Sequence, residues 1–216
     1  MKVVAIDGPA GSGKGTVSAL VKEKCNLVYI DTGATYRCVA LASLRGNVDI
    51  TNEDKIIEIS KNIKIEFSFD GKVYLNGEDV TEEIRGKDVT QIVSPISSIV
   101  GVRKNMVELQ RKMAFNYDVI MEGRDITTIV FPNANYKFYL DADVEVRAQR
   151  RYKEMQEKNI KMTYEEVLEN IKERDYNDMN KKIGALKRTD EQIYIDTTNM
   201  TIDEVVDKIV SIVGVD

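Results

Sequence analysis

The 216-residue chain is 43% hydrophobic and 31% charged, which suits one soluble globular domain with a substantial core and falls short of two. Its net charge of −5 argues against broad nucleic-acid binding, and the absence of histidine excludes Ser-His nucleophiles, histidine-ligated zinc and phosphohistidine relays. No apolar run approaches the roughly 18 residues of a membrane span and no secretory leader opens the chain, so a cytoplasmic protein is expected, with Cys25 and Cys38 as free thiols.

The apolar run Val3–Asp7 predicts a strand that feeds directly into Gly8-Pro9-Ala10-Gly11-Ser12-Gly13-Lys14-Gly15-Thr16. Strand, glycine-rich loop and helix start together form a phosphate cradle. Glycines allow left-handed backbone angles and let amide groups approach an anion, and a helix beginning near Lys14 adds its positive dipole end. Lys14 is expected to reach the outer phosphates, and Thr16 places a hydroxyl near a magnesium position. The spacing Gly-x4-Gly-Lys is followed by Gly15, where the general pattern has Ser or Thr.

A second strand, Leu27–Asp31, runs into Asp31-Thr-Gly-Ala-Thr-Tyr-Arg37 at the start of a helix. Ligands of open α/β sheets bind at the carboxyl ends of strands, so Thr32, Tyr36 and Arg37 are expected to face the same crevice as the loop. Arg37 could clamp a phosphate with two parallel N–H bonds, or it could be solvated helix surface. From Ile63 to Leu75 apolar residues alternate (Ile63, Ile65, Phe67, Phe69, Val73, Leu75) around Asp70-Gly71, a hairpin signal, and Asn76-Gly77 marks another turn. A small antiparallel insert is predicted there, which could equally be an elaboration without a role.

Val119–Glu122 predicts a third strand that ends in Glu122-Gly-Arg-Asp125. Glu122 would lie beside the loop as an anionic partner for magnesium or its water shell, with Arg124 and Asp125 directed at an acceptor. Tyr136–Leu140 and Ile193–Asp196 complete five short strands, whose unalternated apolar character suits a parallel sheet covered on both faces. Between them, Asp141–Leu186 reads as a charged helical hairpin divided near Glu157–Lys161, a plausible cover for the site. Arg147, Arg150 and Arg151 crowd the end of its first helix. Thr163-x-x-Glu166 caps the second, on which Arg174, Asp178 and Lys181 are expected to share a face. A last helix, Thr201–Val213, opens with another capping box and aligns Ile202, Val205, Val206, Ile209 and Val213.

Taken in this order, five segments resemble the bacterial cytidylate kinases. They are the phosphate loop, Asp-Thr-Gly-Ala-x-Tyr-Arg, the hairpin insert, Gly-Arg-Asp followed by Val-Phe-Pro-Asn-Ala, and Lys-Glu-Arg-Asp in the cover. The likeness runs from Val3 to the last helix. It implies a P-loop kinase of α/β class: one five-stranded parallel sheet flanked by helices, an acceptor-side insert at about 61–100 and a helical lid at about 144–180. It further implies transfer of the γ-phosphoryl of ATP to CMP or dCMP with Mg²⁺, by a monomer with no nucleic-acid or membrane partner.

By this resemblance Ser94, Arg103 and Asp125 read the cytosine ring, although Ser94 alone would pass for a cap residue and Arg103 for a surface charge. Cytosine's exocyclic amine suits the Ser94 hydroxyl and the Asp125 carboxylate, and its ring acceptors suit the Arg103 fork. Arg37, Arg124 and Lys181 correspond to clamps on the acceptor phosphate, Arg174 and Asp178 to sugar or lid-closed contacts, and Arg147 and Arg151 to neutralisers of the transferring group. Arg150 reads equally well as one half of a surface ion pair. Three positions depart from the family: Lys181 stands for arginine, Ala185 for proline and Thr127 for glycine. Another monophosphate as acceptor, or a nucleotide-dependent regulatory module, remain the alternative readings.

Overall fold

The computed structural model describes residues 2–68, 70–157 and 160–214. Phe69, in the predicted hairpin, and Lys158 and Asn159, in the predicted break of the cover, lie outside these residues. In chain order the elements are β1 (Val3–Asp7), α1 (Lys14–Lys24), β2 (Val28–Asp31), α2 (Thr32–Arg45), α3 (Glu53–Asn62), β3 (Ile65–Phe67), β4 (Val73–Leu75) and β5 (Glu78–Asp79). They continue with α4 (Lys87–Ile96), α5 (Val100–Ala114), β6 (Val119–Gly123), β7 (Tyr136–Asp141), α6 (Val144–Glu157), α7 (Tyr164–Met179), β8 (Ile193–Asp196) and α8 (Ile202–Val213). A 3₁₀ turn (Glu83–Arg85) precedes α4, and a π turn (Ile126–Val130) follows β6.

The five predicted strands form one parallel sheet in the order β2-β6-β1-β7-β8. Because β1 lies between β6 and β7, the chain changes direction across it, and the crevice beyond its carboxyl end is where open α/β sheets bind ligands. Register brings the functional ends level: Asp7 lies beside Gly123 and Tyr139, and Asp31 beside Glu122. Strands buried on both faces explain the unbroken apolar runs. Val4, Ile6, Ile120, Phe138, Leu140 and Ile195 pack against α1 and α8, while Val3, Ala5, Val119 and Met121 pack against α5 and the π turn. Fully burying a side chain of this size contributes about 1.5–3 kcal/mol, so the sheet edge that carries the site is rigidly backed.

The alternating segment folds as β3 and β4 about the Asp70-Gly71 turn, and Asn76-Gly77 leads into a third strand, β5, that the sequence reading lacked. With α2 to α5 this small sheet encloses its own core around Ile56, Ile84, Ile96 and Met106. Helices α6 and α7 pack on each other through Ala148, Val167 and Ile171. The two capping boxes form as predicted, at Thr163/Glu166 and Thr201/Glu204.

Three expectations are corrected. Helix α7 ends at Met179 with Asn180 as its cap, so Lys181 lies beyond the helix rather than on a face with Arg174 and Asp178. Arg147, Arg150 and Arg151 occupy the first part and middle of α6, not its end. Ile202 opens α8 and is 49% exposed, because the first turn tilts clear of the sheet that buries Val205, Val206, Ile209 and Val213.

Candidate active site

The loop after β1 is held by contacts only glycine permits. A Cβ on Gly8 would lie 2.0 Å from the Leu140 carbonyl oxygen, so strand β7 and the loop touch backbone to backbone. Gly13 adopts φ 85° as the cap of α1 and offers no side-chain acceptor, leaving the helix's first N–H groups for a ligand. Ser12 Oγ donates to Pro9 O (3.1 Å), and Lys14 Nζ donates to Pro9 O (2.7 Å) and Ser12 Oγ (3.3 Å). Lys14 is buried, and that burial together with Arg124 and Arg174 lowers its pKa to about 7.

Glu122 stands next to this loop. Its Oε1 accepts from Tyr29 Oη (3.3 Å) and lies 3.5 Å from where a Cβ on Gly15 would be. The residue beside Glu122 is therefore Gly15, while Thr16, expected to share the metal position, is exposed. Burial and Asp31 raise the Glu122 pKa, opposed by Lys14 and Arg124. Among the described residues no three acidic, cysteine or histidine side chains group as a metal cage. One carboxylate beside a phosphate loop suits a magnesium ion, which takes one or two protein carboxylates and completes its shell from water and phosphates.

Cations from four elements gather over the loop. Arg124 follows β6, Arg37 lies on α2, Arg151 on α6 and Arg174 on α7. Arg174 is lowered to about 10 by burial and by Arg124, Arg37 and Arg151, and Arg37 by burial and by Arg85, Arg151 and Arg124. Among the described residues no carboxylate pairs with Lys14, Arg37 or Arg174. Arg37 donates to Ile84 O (3.1 Å) and Thr90 Oγ1 (2.9 Å) instead, so it is not merely solvated surface. Mutually repelling, half-buried cations form a seat for anions.

The arginines of α6 divide. Arg147 is committed to protein partners: Nε donates to Ala142 O (2.9 Å), and Nη1 to Ala10 O (2.9 Å) and Asp175 Oδ2 (2.6 Å), tying α6 and α7 to the loop. Arg151 pairs with Glu154 on its own helix (2.7 Å). Arg150 turns away to Thr197, through Oγ1 (3.1 Å) and O (2.7 Å).

A second group lies beyond Arg124. Arg124 Nε (2.7 Å) and Lys181 Nζ (2.9 Å) both donate to Asp178, which they hold well below the usual carboxylate range against the cost of its burial. Lys181 also donates to Ser97 Oγ (3.1 Å). Arg103 and Asp125 are both buried and paired directly, with Arg103 Nη1 donating to Ser97 O (3.0 Å). The guanidinium stands 5.4 Å over the Tyr36 ring. Arg103 Nε and the Tyr36 hydroxyl are buried with no partner, two polar atoms free to meet a ligand. Ser94 is half-buried at the end of α4, and its carbonyl accepts from Ser97 and Ser98.

Thr32 Oγ1 donates to Glu122 O (2.7 Å), so it braces the strand end. Sequence reasoning missed Ser97, whose backbone and hydroxyl hold both Arg103 and Lys181. It also missed Gly184, whose φ of +68° brings bare backbone against Arg103 and Asp125. The left-handed turn signal of a glycine shortly after a helix end was the available clue. Two surface cavities, of about 270 Å³ beside Glu145, Arg150 and Tyr164 and about 440 Å³ beside Val3, Arg111 and Phe131, lie apart from this cluster.

A family model described as cytidylate kinase matches residues 4–214. A cytidylate kinase from Fusobacterium nucleatum is 50% identical over 204 residues, covering 94% of this chain and 93% of that protein. One from Clostridium acetobutylicum is 46% identical, covering 98% and 97%. Among solved structures, an uncharacterized protein from Eubacterium ventriosum shares the fold, with a TM-score of 0.53 at 12% identity over 99% of this chain and 98% of that one.

Proposed function

This chain belongs to the cytidylate kinase family, and on that premise we propose that it transfers the γ-phosphoryl of ATP to CMP or dCMP, giving ADP and CDP or dCDP. The observation that carries the reading is the cluster of mutually repelling cations between the glycine loop and the Arg103–Asp125 pair, of which Lys14, Arg37 and Arg174 have no carboxylate partner among the described residues. Two anionic nucleotides meeting there would relieve the repulsion among Lys14, Arg37, Arg124 and Arg174.

The acceptor needs no general base. A phosphomonoester with a second pKa near roughly 6 presents an ionised oxygen at neutral pH, in keeping with a chain that has no histidine. Loop amides and Lys14 would hold the donor phosphates, and Arg37, Arg124 and Lys181 the acceptor phosphate. Arg174 would meet the charge of the group in transfer, with Arg151 available on the same side. Magnesium, when bound, would neutralise phosphate charge beside Glu122. Arg147 serves differently in this reading: committed to Ala10, Ala142 and Asp175, it would couple the lid helices to the loop and not contact the phosphoryl group. Closure of α6 and α7 would exclude water and prevent wasteful hydrolysis of ATP.

For the base, the Asp125 carboxylate accepts from the exocyclic amine of cytosine, and Arg103 Nε, unpartnered and buried, donates to its ring acceptors. Uracil would set a carbonyl against Asp125. Among the described residues no helix is long and apolar enough to cross a membrane. The test is a panel of CMP, dCMP, UMP and AMP with Mg-ATP, followed by ADP release. CMP and dCMP are expected to dominate. A preference for UMP or AMP would overturn the base reading, and tight ATP binding with no transfer would favour a regulatory module.

A further inference from the structure

One buried network has no part in the chemistry above. Asp7, the last residue of β1, is fully buried and has no ion-pair partner among the described residues. Its carboxylate instead accepts from Ile126 N (2.8 Å) on Oδ1, and from Thr127 N (2.9 Å) and Thr127 Oγ1 (2.6 Å) on Oδ2. The Thr127 hydroxyl, having donated to Asp7, accepts from Gln192 Nε2 (2.5 Å). Gln192 in turn accepts from Thr189 N (2.7 Å), on the segment that leads from the lid into β8. Thr127 and Gln192 are both buried.

This places a threonine hydroxyl between three parts of the site. One is the strand that opens into the phosphate loop, another is the segment returning from the lid, and the third is the turn that carries Arg124 and Asp125. The two amides held by Asp7 follow Asp125 directly, and the Asp125 carbonyl accepts from Ile129 N (2.8 Å) and Val130 N (3.1 Å) of the π turn. The backbone on the far side of Asp125 is therefore pinned throughout. π turns of this kind recur at functional sites, where they set the aim of a side chain.

We propose that Thr127 is a positioning residue for the acceptor: through Asp7 and Gln192 it fixes the turn that aims Arg124 and Asp125, without touching either substrate. The inference rests on the proposed function, since it assigns Arg124 and Asp125 to the acceptor. Thr127→Val keeps the shape and the backbone bond to Asp7 and removes only the hydroxyl. Asp7 then loses one of three donors, and the Gln192 amide loses its nearer acceptor and keeps only Lys187 O at 3.4 Å. Thr127→Ser restores both.

The experiment measures KM for CMP and for ATP, kcat, and the CMP:UMP ratio of kcat/KM. Calorimetric binding of CMP alone accompanies these measurements. For Thr127→Val the expected result is a rise in KM for CMP on the order of 10–100-fold and a reduced CMP:UMP ratio, since small misplacements in a positioned site are costly. KM for ATP should hold, and Thr127→Ser should behave as wild type. Gln192→Met, which breaks the other half of the bridge without altering the turn's own sequence, should shift KM for CMP in the same direction and by less; an unchanged value would count against the bridge. If Thr127→Val raises both KM values together, or lowers activity with the CMP:UMP ratio intact, the hydroxyl is ordinary packing and the proposal fails. A wild type that binds CMP beside an unaltered Thr127→Val overturns this inference alone. A wild type that neither binds nor phosphorylates CMP overturns the functional reading and this inference with it.

Discussion

The sharpest test of the base reading is Asp125→Asn. Asp125 is 5% exposed and Arg103 4% exposed, so neither can turn to water when its partner changes. The amide is nearly the same size as the carboxylate. It keeps one oxygen for Arg103 Nη2 and turns its NH₂ into the pocket. An ion pair becomes a hydrogen bond from the charged guanidinium to a neutral amide, which costs about 1.5–3 kcal/mol of stability, and leaving Arg103 wholly unpaired would cost about 3–5 kcal/mol. In the pocket a donor replaces an acceptor, so it repels the cytosine amine and suits the uracil carbonyl. Losing one charged bond to CMP and gaining one neutral bond to UMP swings the preference by roughly 2–4.5 kcal/mol, or about 30–2,000-fold in the CMP:UMP ratio of kcat/KM. Both ratios are measured by ADP release, beside a urea melt of each protein. A variant that is destabilised as expected and keeps the wild-type ratio would refute the reasoning, reducing Asp125 to a counter-ion for Arg103.

Two further outcomes follow from the phosphate loop. Lys14 is lowered to about 7 in the free protein, so by pH 8 about nine in ten copies are neutral, and ATP must draw a proton back onto the side chain. Affinity for ATP without acceptor should therefore fall by about tenfold per pH unit above 7, with proton uptake seen in calorimetry as a buffer-dependent heat, and Lys14→Met should abolish both effects. A flat affinity from pH 7 to pH 9 would contradict this. Gly8→Ala drives a Cβ to 2.0 Å from a backbone oxygen that cannot rotate away; a loss of about 1–3 kcal/mol in a urea melt and a displaced loop with weakened ATP binding are expected. A stable variant with normal ATP affinity would show that the loop does not need this approach.

How much was legible in the sequence depended on the reach of each signal. The five strands and the glycine loop are written in contiguous residues, and they fold as read, apart from one-residue shifts such as β2 opening at Val28 rather than Leu27. The hairpin turn at Asp70-Gly71 is equally local. Arg103 was not legible from its neighbours: it sits in α5, and what makes it a site residue is Asp125, brought against it from the end of another element. Ser97 was passed over because serines at the end of a helix look alike in sequence, and only the fold tells which one meets Arg103 and Lys181. The placement of Lys181 on α7 extended a helical period past its stop, although Asn180 and Gly184 were both visible as terminators. The glycine at position 15 was read as an irregularity in the motif, and only the fold shows that it is the loop position that faces Glu122.

The carboxylates of the site bear on why its cations stay charged at all. Burying an arginine without a counter-charge costs several kcal/mol, and too many such groups would unfold a domain whose whole margin is about 5–15 kcal/mol. Here Asp175 holds Arg147, and Asp178 holds both Arg124 and Lys181, so helix α7 brings neutralising groups to the segments around it. Among the described residues of this cluster, Lys14, Arg37 and Arg174 have no carboxylate partner, and these three come from three different elements around the cleft. Withdrawing α7 would remove Arg174 and also take Asp178 away from Arg124, exposing more positive charge to solvent when the cleft opens. Returning it over two bound nucleotides would replace the repulsion with phosphate contacts. On this account substrate charge closes the proposed lid, and the domain tolerates the empty site because Asp175 and Asp178 neutralise Arg147, Arg124 and Lys181 while α7 is in place.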